Sequence, residues 1–276
     1  MRADPVRTHE PFVVPAKRRC LASRAARTLE RMTSSDLWDE ATADAFDDAG
    51  PMFAPEVVDP VVDRLAQLAG DGAALELAVG TGRIAVPLRA RGVPVAGIEL
   101  SQPMVDRLRR RASADELPVV VGDMATSTVP GEFSLVYLVW NSIGNLRTQD
   151  EQVACFANAA RHLSAGGRFV VELGVPSLRR LPPGQNAVPF DVSEAHLGFD
   201  TYDTVTQQAT SHHYSRHDDG TVTYGAHHFR YIWPAELDLM ARLAGLELED
   251  RSADWVGSPF TADSTSHVSV WRKPTD

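Results

Sequence analysis

Between residues 73 and 174 short apolar runs alternate with stretches whose apolar positions recur every three or four residues. The runs at 73–79, 94–99, 118–122, 133–140 and 168–173 predict strands, and the stretches between them predict helices near 82–90, 102–113 and 149–164. Strands that are apolar throughout, joined by amphipathic helices, imply a parallel sheet covered on both faces. The helix over 149–164 opens on Thr148-Gln149-Asp150-Glu151, a capping box. Its stripe is Val153, Phe156, Ala157, Ala160 and Leu163. Upstream, a helical period runs from Ser34 through Leu37, Trp38, Ala41, Ala45 and Phe46. A second helix starts near Glu56, buries Val58, Val62, Leu65 and Leu68, and stops at Gly70-Asp71-Gly72.

The rhythm changes over 175–232. Pro182-Pro183-Gly184 marks a loop, and 197–205, 208–216 and 221–233 are rich in β-formers without a helical period. This predicts an antiparallel insertion after the fifth strand. Asp218-Asp219-Gly220 supplies a hairpin turn. With Asp219 and Gly220 as a two-residue turn, His212 falls opposite His227 on one face. A helix from Pro234 to Ala244 is closed by Gly245, and two last strands follow near 246–252 and 266–272.

Composition narrows the class. With 43% apolar residues, the chain reads as globular, with no run long enough to span a bilayer. Cys20 and Cys155 stand in no paired spacing, which argues against a disulfide scaffold or thiolate zinc site and fits a reducing, cytoplasmic compartment. Residues 1–31 hold eight Lys/Arg against three acids, a net +5, while the remainder carries −15 of the chain's −10. Residues 1–32 are therefore expected to be a flexible basic extension, one reading of which puts the natural start at Met32, and 33–276 the folded domain. An acidic body is a poor partner for a phosphate backbone, so no nucleic-acid partner is expected, and no membrane partner is expected either.

The candidate chemistry begins at Leu75-Glu-Leu-Ala-Val-Gly-Thr-Gly-Arg-Ile-Ala85, a strand running into a glycine turn and a helix. Without a Cβ, Gly80 and Gly82 let the backbone turn tightly and approach a ligand. The second strand ends on Glu99, placed to accept hydrogen bonds from ribose hydroxyls. Gly80-x-Gly82-x-x-Ala85 with a downstream acid also fits a NAD or FAD fingerprint. Against that stand Glu76, inside the first strand, and Val121-Gly-Asp-Met124, which puts a carboxylate and a backbone N–H where a nucleoside base would lie. The fourth strand ends in the polar tip Val139-Trp-Asn-Ser-Ile-Gly-Asn-Leu146.

On these residues the chain resembles the class I S-adenosylmethionine-dependent methyltransferases, over most of 33–174 and the last forty or so residues. The resemblance implies a doubly wound, seven-stranded, mostly parallel Rossmann-like sheet whose last strand is antiparallel. It implies S-adenosyl-L-methionine as cofactor, bound at Glu76, Ala78, Gly80, Gly82, Arg83, Glu99, Leu100, Met104, Asp123, Met124 and Asn141. In the family's first motif Ala78 replaces a frequent glycine, and a slight narrowing of the turn is expected. Glu99 would bind the ribose hydroxyls and Asp123 the adenine amino group. The Met124 backbone would meet an adenine ring nitrogen, Met104 the adenine face, and Arg83 and Asn141 the methionine part. The helix bearing Trp38 and Phe46 would close as a lid. Ser142-Ile-Gly-Asn-Leu146 is similar to the tip found in small sugar N-methyltransferases, where a histidine is expected in place of Asn145.

Asn145 can orient an acceptor but cannot titrate. His212 and His227 are the other candidates for handling its proton, and with no cysteine or carboxylate beside them no metal site is expected. The insertion is expected to roof the sheet's carboxyl edge and select the acceptor, a nitrogen or an oxygen of a small molecule, as the resemblance implies. A nicotinamide-dependent oxidoreductase and a non-catalytic adenosyl-binding module remain as alternatives.

Overall fold

The computed structural model describes residues 34, 36, 38–47 and 50–275. The expected basic extension, Cys20, Met32 and Leu37 lie outside the described residues. The elements up to the insertion are α1 (Glu40–Asp47), α2 (Pro55–Ala69), β1 (Ala74–Leu77), α3 (Ala85–Ala90), β2 (Val95–Glu99), α4 (Gln102–Leu108), β3 (Val119–Val121), β4 (Phe133–Leu138), α5 (Gln149–His162) and β5 (Leu163–Gly174). The insertion supplies β6 (Ala187–Val192), β7 (His196–Asp203), β8 (Gln208–Arg216) and β9 (Val222–Arg230). The chain then forms α6 (Pro234–Leu243), β10 (Glu247–Ser252) and β11 (Ser266–Arg272).

Among the described residues seven strands form one sheet, ordered β10-β11-β5-β4-β1-β2-β3. The pairs among β1 to β5 are parallel, and β11 runs antiparallel to both β5 and β10. This is the expected doubly wound architecture. One face packs Val58, Val62 and Leu65 of α2 and Leu88 of α3 against Leu135, Tyr137 and Val170. The other packs Phe156 of α5 and Leu237 of α6 against Phe169 and Trp271, and these three aromatic rings meet at 5.0–6.2 Å. The chain winds outward from β1 in one direction and from β4 in the other. A crevice therefore opens at the carboxyl ends of these two strands, the usual ligand site of such sheets.

Several boundaries move for local reasons. Gly80 and Gly82 have φ of 56° and 82°, which delays α3 to Ala85 rather than 82. After Leu108 the bonds from Arg110 N to Arg107 O and Arg111 N to Leu108 O tighten to i→i−3, ending α4 five residues early. Trp38 precedes α1 instead of lying on it. The first helical bond runs from Ala43 N to Asp39 O, so an aspartate takes the N-cap position. The Thr148–Glu151 capping box is present in both directions, at 3.2 and 3.1 Å.

The insertion is an antiparallel meander of four strands. Its first strand, β6, is absent from the predicted set because Pro189 interrupts it; β6 is an edge, where proline is tolerated. The β8–β9 hairpin corrects the expected register. His217 N donates to Thr221 O, and residues 218–220 form a three-residue loop with Gly220 at φ 84°. Ser211 therefore faces His227 and His212 faces Ala226. A one-residue slip moves every side chain across the sheet, so His212 and His227 lie on opposite faces.

Candidate active site

A cavity of about 850 Å³ lies over the carboxyl ends of the parallel strands and beneath the inserted sheet. On its floor, β1 delivers Glu76 and the turn carrying Ala78 and Gly80. Glu76 is buried, and the Tyr137 hydroxyl donates to it at 2.9 Å. Burial pushes its carboxyl up to about 8, against the pull of Tyr137 and Arg83. Ala78 has φ 57°, a left-handed conformation that a side chain resists, so its departure from glycine is a backbone matter more than a narrowing of the turn. A Cβ on Gly80 would meet nothing within 4 Å, so its face is open. Gly82 does not line the cavity. A Cβ there would come within 2.9 Å of Val86 Cγ2 and 3.2 Å of Leu108 Cγ, so its bareness lets the turn pack against α3 and α4.

Glu99 closes β2 as expected. Gly80 N donates to its Oε2 at 2.8 Å and Ser101 N to its Oε1 at 2.9 Å. The carboxylate thus ties the glycine turn to the next strand tip, and each oxygen keeps capacity for a further donor. Burial raises its pKa, opposed by those amides. Leu100 and Met104 stand beside it, and the Ser101 hydroxyl donates to the Trp38 carbonyl. Trp38 and Phe46, edge to face at 5.4 Å, complete this wall. Asp123 and Met124 line the cavity after β3. One Asp123 oxygen accepts Ala125 N–H at 2.7 Å, and Asn158 Nδ2 donates to Met124 O at 2.8 Å, which holds the segment in place.

The tip of β4 carries consecutive left-handed residues, Trp140 at φ 58° and Asn141 at φ 60°. Neither is glycine, and such strain persists only where neighbours hold it. Here Trp140 N donates to Glu172 Oε2 at 2.9 Å, and Gly174 N donates to Asn141 Oδ1 at 2.6 Å. Arg83 reaches over the Trp140 ring, 4.6 Å from its centre, and donates to Met52 O. Burial lowers its pKa, but a guanidinium stays charged. Asn145 also lines the cavity, at the end of the turn Ser142–Asn145. A Cβ on Gly144 would come within 3.3 Å of Arg230 O, so β9 lies close on this turn.

The inserted sheet presents Asp200, Tyr202, Ser211, His213, His227 and Phe229 to the cavity. His212 is on the other face, where its ring stacks on Phe199 at 4.8 Å and hydrogen-bonds Tyr224 and Thr201. His212 therefore stands away from the cavity, and its neighbour His213 takes the position that the expected register gave it. Burial holds both His213 and His227 below the ordinary imidazole range. Sequence reasoning missed Trp140, Tyr202, Ser211 and His213. Trp140 could have been found as an aromatic beside Asn141 at a strand tip. The others depend on a hairpin register that local sequence did not specify.

The arrangement fits an adenosyl cofactor. A carboxylate ends β2, an open glycine turn ends β1, and a carboxylate and a backbone segment follow β3, all on one cavity. Comparison with known proteins agrees. A family model described as a methyltransferase domain matches residues 74–167. The solved structure of the CcbJ methyltransferase from Streptomyces caelestis is 36% identical, with a TM-score of 0.75, over 88% of this chain and 99% of that one. The cypemycin N-terminal methyltransferase of Streptomyces sp is 29% identical over 88% of this chain and 100% of its own length. A dTDP-3-amino-3,4,6-trideoxy-alpha-D-glucopyranose N,N-dimethyltransferase of Streptomyces venezuelae is 35% identical over 36% of this chain and 40% of its own. These similarities set aside the nicotinamide and non-catalytic readings. The chain belongs to the class I S-adenosylmethionine-dependent methyltransferases and is an enzyme of that kind.

Proposed function

We propose that this enzyme methylates the nitrogen of a small-molecule amine. The observation that carries the reading is the acceptor-side wall: Asp200 and two imidazoles with lowered pKa, His213 and His227, face the cavity from one sheet. A carboxylate and unprotonated imidazoles accept hydrogen bonds from N–H donors. The aromatic surfaces of Trp140, Tyr202 and Phe229 around them suit a cation or the apolar face of a ring. The N-terminal and aminosugar methyltransferases that the chain resembles both act at amines by name, which supports the same class here.

In this reading Glu99 accepts the ribose hydroxyls, Asp123 and the Met124 backbone meet the adenine, and Met104 packs on its face. Glu76, Ala78, Gly80, Arg83, Leu100 and Asn141 surround the rest of the cofactor, with Gly82 setting the turn from behind. When bound, the cofactor supplies an electrophilic methyl carbon on a sulfonium. What the protein adds is alignment of the acceptor nitrogen and exclusion of water, under the inserted sheet and the Trp38–Phe46 wall. Asn145 orients the acceptor. An amine in its neutral form needs no strong base to attack, whereas a hydroxyl does.

The test uses labelled S-adenosylmethionine with a dTDP-aminosugar and a peptide with a free N-terminal amine, each beside its hydroxyl counterpart. Label on an amine and none on the hydroxyls is expected. Label transferred to the hydroxyl compounds alone overturns the reading. For the cofactor site, Glu99→Ala is expected to weaken S-adenosylhomocysteine binding, read by calorimetry, by ~10-fold or more. Unchanged affinity removes Glu99 from the site.

A further inference from the structure

On the cavity face of the inserted sheet Asp191, His196 and His213 form a continuous hydrogen-bonded chain. Asp191 Oδ2 lies 2.6 Å from His196 Nδ1, and His196 Nε2 lies 3.0 Å from His213 Nδ1. We propose that this chain makes His213 Nε2 the base that takes the proton from the acceptor amine and passes it to solvent; the proposal rests on the amine reading above.

The backbone is arranged for it. The β6–β7 register slips between Pro189 and Asp191, leaving Phe190 as an extra residue in a bulge. A bulge re-aims the side chains beside it. Here it pairs Asp191 with Gly198, in the row that continues to His213. A side chain at Gly198 would strike the Phe190 ring at 2.2 Å and His196 Cε1 at 2.9 Å, so only glycine leaves room for these rings. Phe190, His196 and His213 pack together with ring centres 5.2–6.3 Å apart. The Asp191 side chain is 45% exposed, so the far end of the chain opens to water.

Polarity along the chain follows from its end group. An ionised Asp191 only accepts, so His196 donates through Nδ1 and, when neutral, accepts at Nε2. His213 must then donate from Nδ1, which leaves its Nε2 lone pair as an acceptor. The Ser211 hydroxyl lies 3.3 Å from that atom, a contact long enough to yield to a stronger donor. The charged and titratable groups around His213 are Asp191 on β6, His196 and Asp200 on β7, His212 on its own strand and His227 on β9. Burial and His196 disfavour a lasting charge on His213, which suits a group that passes its proton on.

The step balances. An acceptor ammonium loses one proton to His213 Nε2. The freed lone pair forms the N–CH₃ bond while the C–S bond breaks with its electrons on sulfur. His213 then gives its Nδ1 proton to His196, His196 gives its own Nδ1 proton to Asp191, and Asp191 releases it to water, so one proton leaves for the one taken up. Once the product has gone, His213 sheds its Nε2 proton to water and the relay runs back from water through Asp191 to restore the starting tautomers. His213 is the catalytic residue; His196 and Asp191 position it and set its tautomer.

Two measurements decide the matter. Nitrogen-15 NMR of histidine-labelled protein, with no acceptor present, should find neutral His213 protonated at Nδ1, shifting toward Nε2 in Asp191→Asn. A neutral His213 protonated at Nε2 in the wild type overturns the chain, whatever the acceptor. With the amine that the wild type methylates, His213→Gln should lower kcat by ~100-fold near neutral pH, with KM for the cofactor unchanged. Its rate should then climb tenfold per pH unit toward the amine's own pKa. Asp191→Asn should lose much of kcat, and Asp191→Glu should recover part of it. An unaltered pH profile in His213→Gln overturns the proposal. A wild type that methylates no amine overturns the amine reading instead, and with it this use of the chain.

Discussion

Glu172, on β5, holds the backbone of Trp140 at the tip of the neighbouring strand. One carboxylate oxygen accepts the Trp140 N–H and the other accepts the Trp255 indole N–H, each at 2.9 Å. The pair of left-handed residues beside the cavity is thus fixed from behind, by a group outside the cavity lining. Glu172→Ala should cost about 1–3 kcal/mol in urea unfolding and also weaken S-adenosylhomocysteine binding. Stability lost with affinity intact would show that the strained tip does not serve the site.

Ala78→Gly should stabilise the protein. Relief of a left-handed alanine gains about 1–2 kcal/mol, and the added freedom of glycine in the unfolded chain returns roughly 0.5–1. A net increase of about 0.5–1 kcal/mol in urea unfolding is expected, and a decrease would mean that the Ala78 methyl is worth more in packing than its backbone costs.

The root of the inserted sheet is a buried ion pair. Arg230 donates to Glu236 at 2.7 Å, to Gln152 at 2.6 Å and to Gln207 at 3.0 Å, joining β9 to α5 and α6. Arg230→Met should destabilise by about 3 kcal/mol, because Glu236 loses its cation, keeping only the Gln149 and Gln207 amides, and Gln152 Oε1 loses its donor while buried. The double substitution Arg230→Met with Glu236→Leu should recover part of that loss. Equal unfolding midpoints for the single and double variants would show that the unpaired carboxylate is not the cause.

His267 lies fully buried on β11, bonded to Ser269 Oγ through Nδ1, and Nε2 has no partner among the described residues. Burial and Arg251 push its pKa down to about 4. Between the ordinary value near 6.5 and that one, the unfolded chain binds a proton that the folded chain does not. Stability should therefore fall as pH drops through this window, by up to about 3 kcal/mol, and the slope should flatten near pH 4. His267→Gln should shrink this dependence in thermal unfolding; an unchanged slope would assign it to other groups.

Glu76 imposes the opposite slope. With its carboxyl raised to about 8, the ligand-free folded state keeps a proton that the unfolded chain has already released above its ordinary value of 4.5. Its contribution is complete below pH 4.5 and is lost as pH rises through about 8. Glu76→Gln should flatten the stability profile between pH 4.5 and about 8. A profile that stays steep there would rule Glu76 out as its source.

Much of the molecule was legible because its signals are local. Period and capping placed most strands and helices, β6 excepted, with ends shifted by up to five residues at 108 and 163, and Glu76, Gly80, Glu99 and Asp123 marked the sheet edge on which a cofactor would lie. The misses share a cause. Trp38 fits the helical period because an apolar spacing does not show where a cap falls, and Asp39 starts the helix just past it. His212 was favoured over His213 because one residue more in the loop at 218–220 reverses both faces of β8 relative to β9. Glu172 was unreadable because its partners lie 32 and 83 residues away.

The alternation of apolar strands with amphipathic helices, and the acids at the ends of the strands, determined by themselves that this chain folds as a doubly wound sheet with a nucleoside-binding edge. Burial of apolar faces leaves such a pattern few other solutions. Only the tertiary structure decided which histidines face the cavity and that Asp191, His196 and His213 stand in line. Those contacts rest on a bulge at Phe190 and a three-residue loop, each of which moves a strand by one residue at small energetic cost, and it is the packing of the whole inserted sheet that chooses between registers.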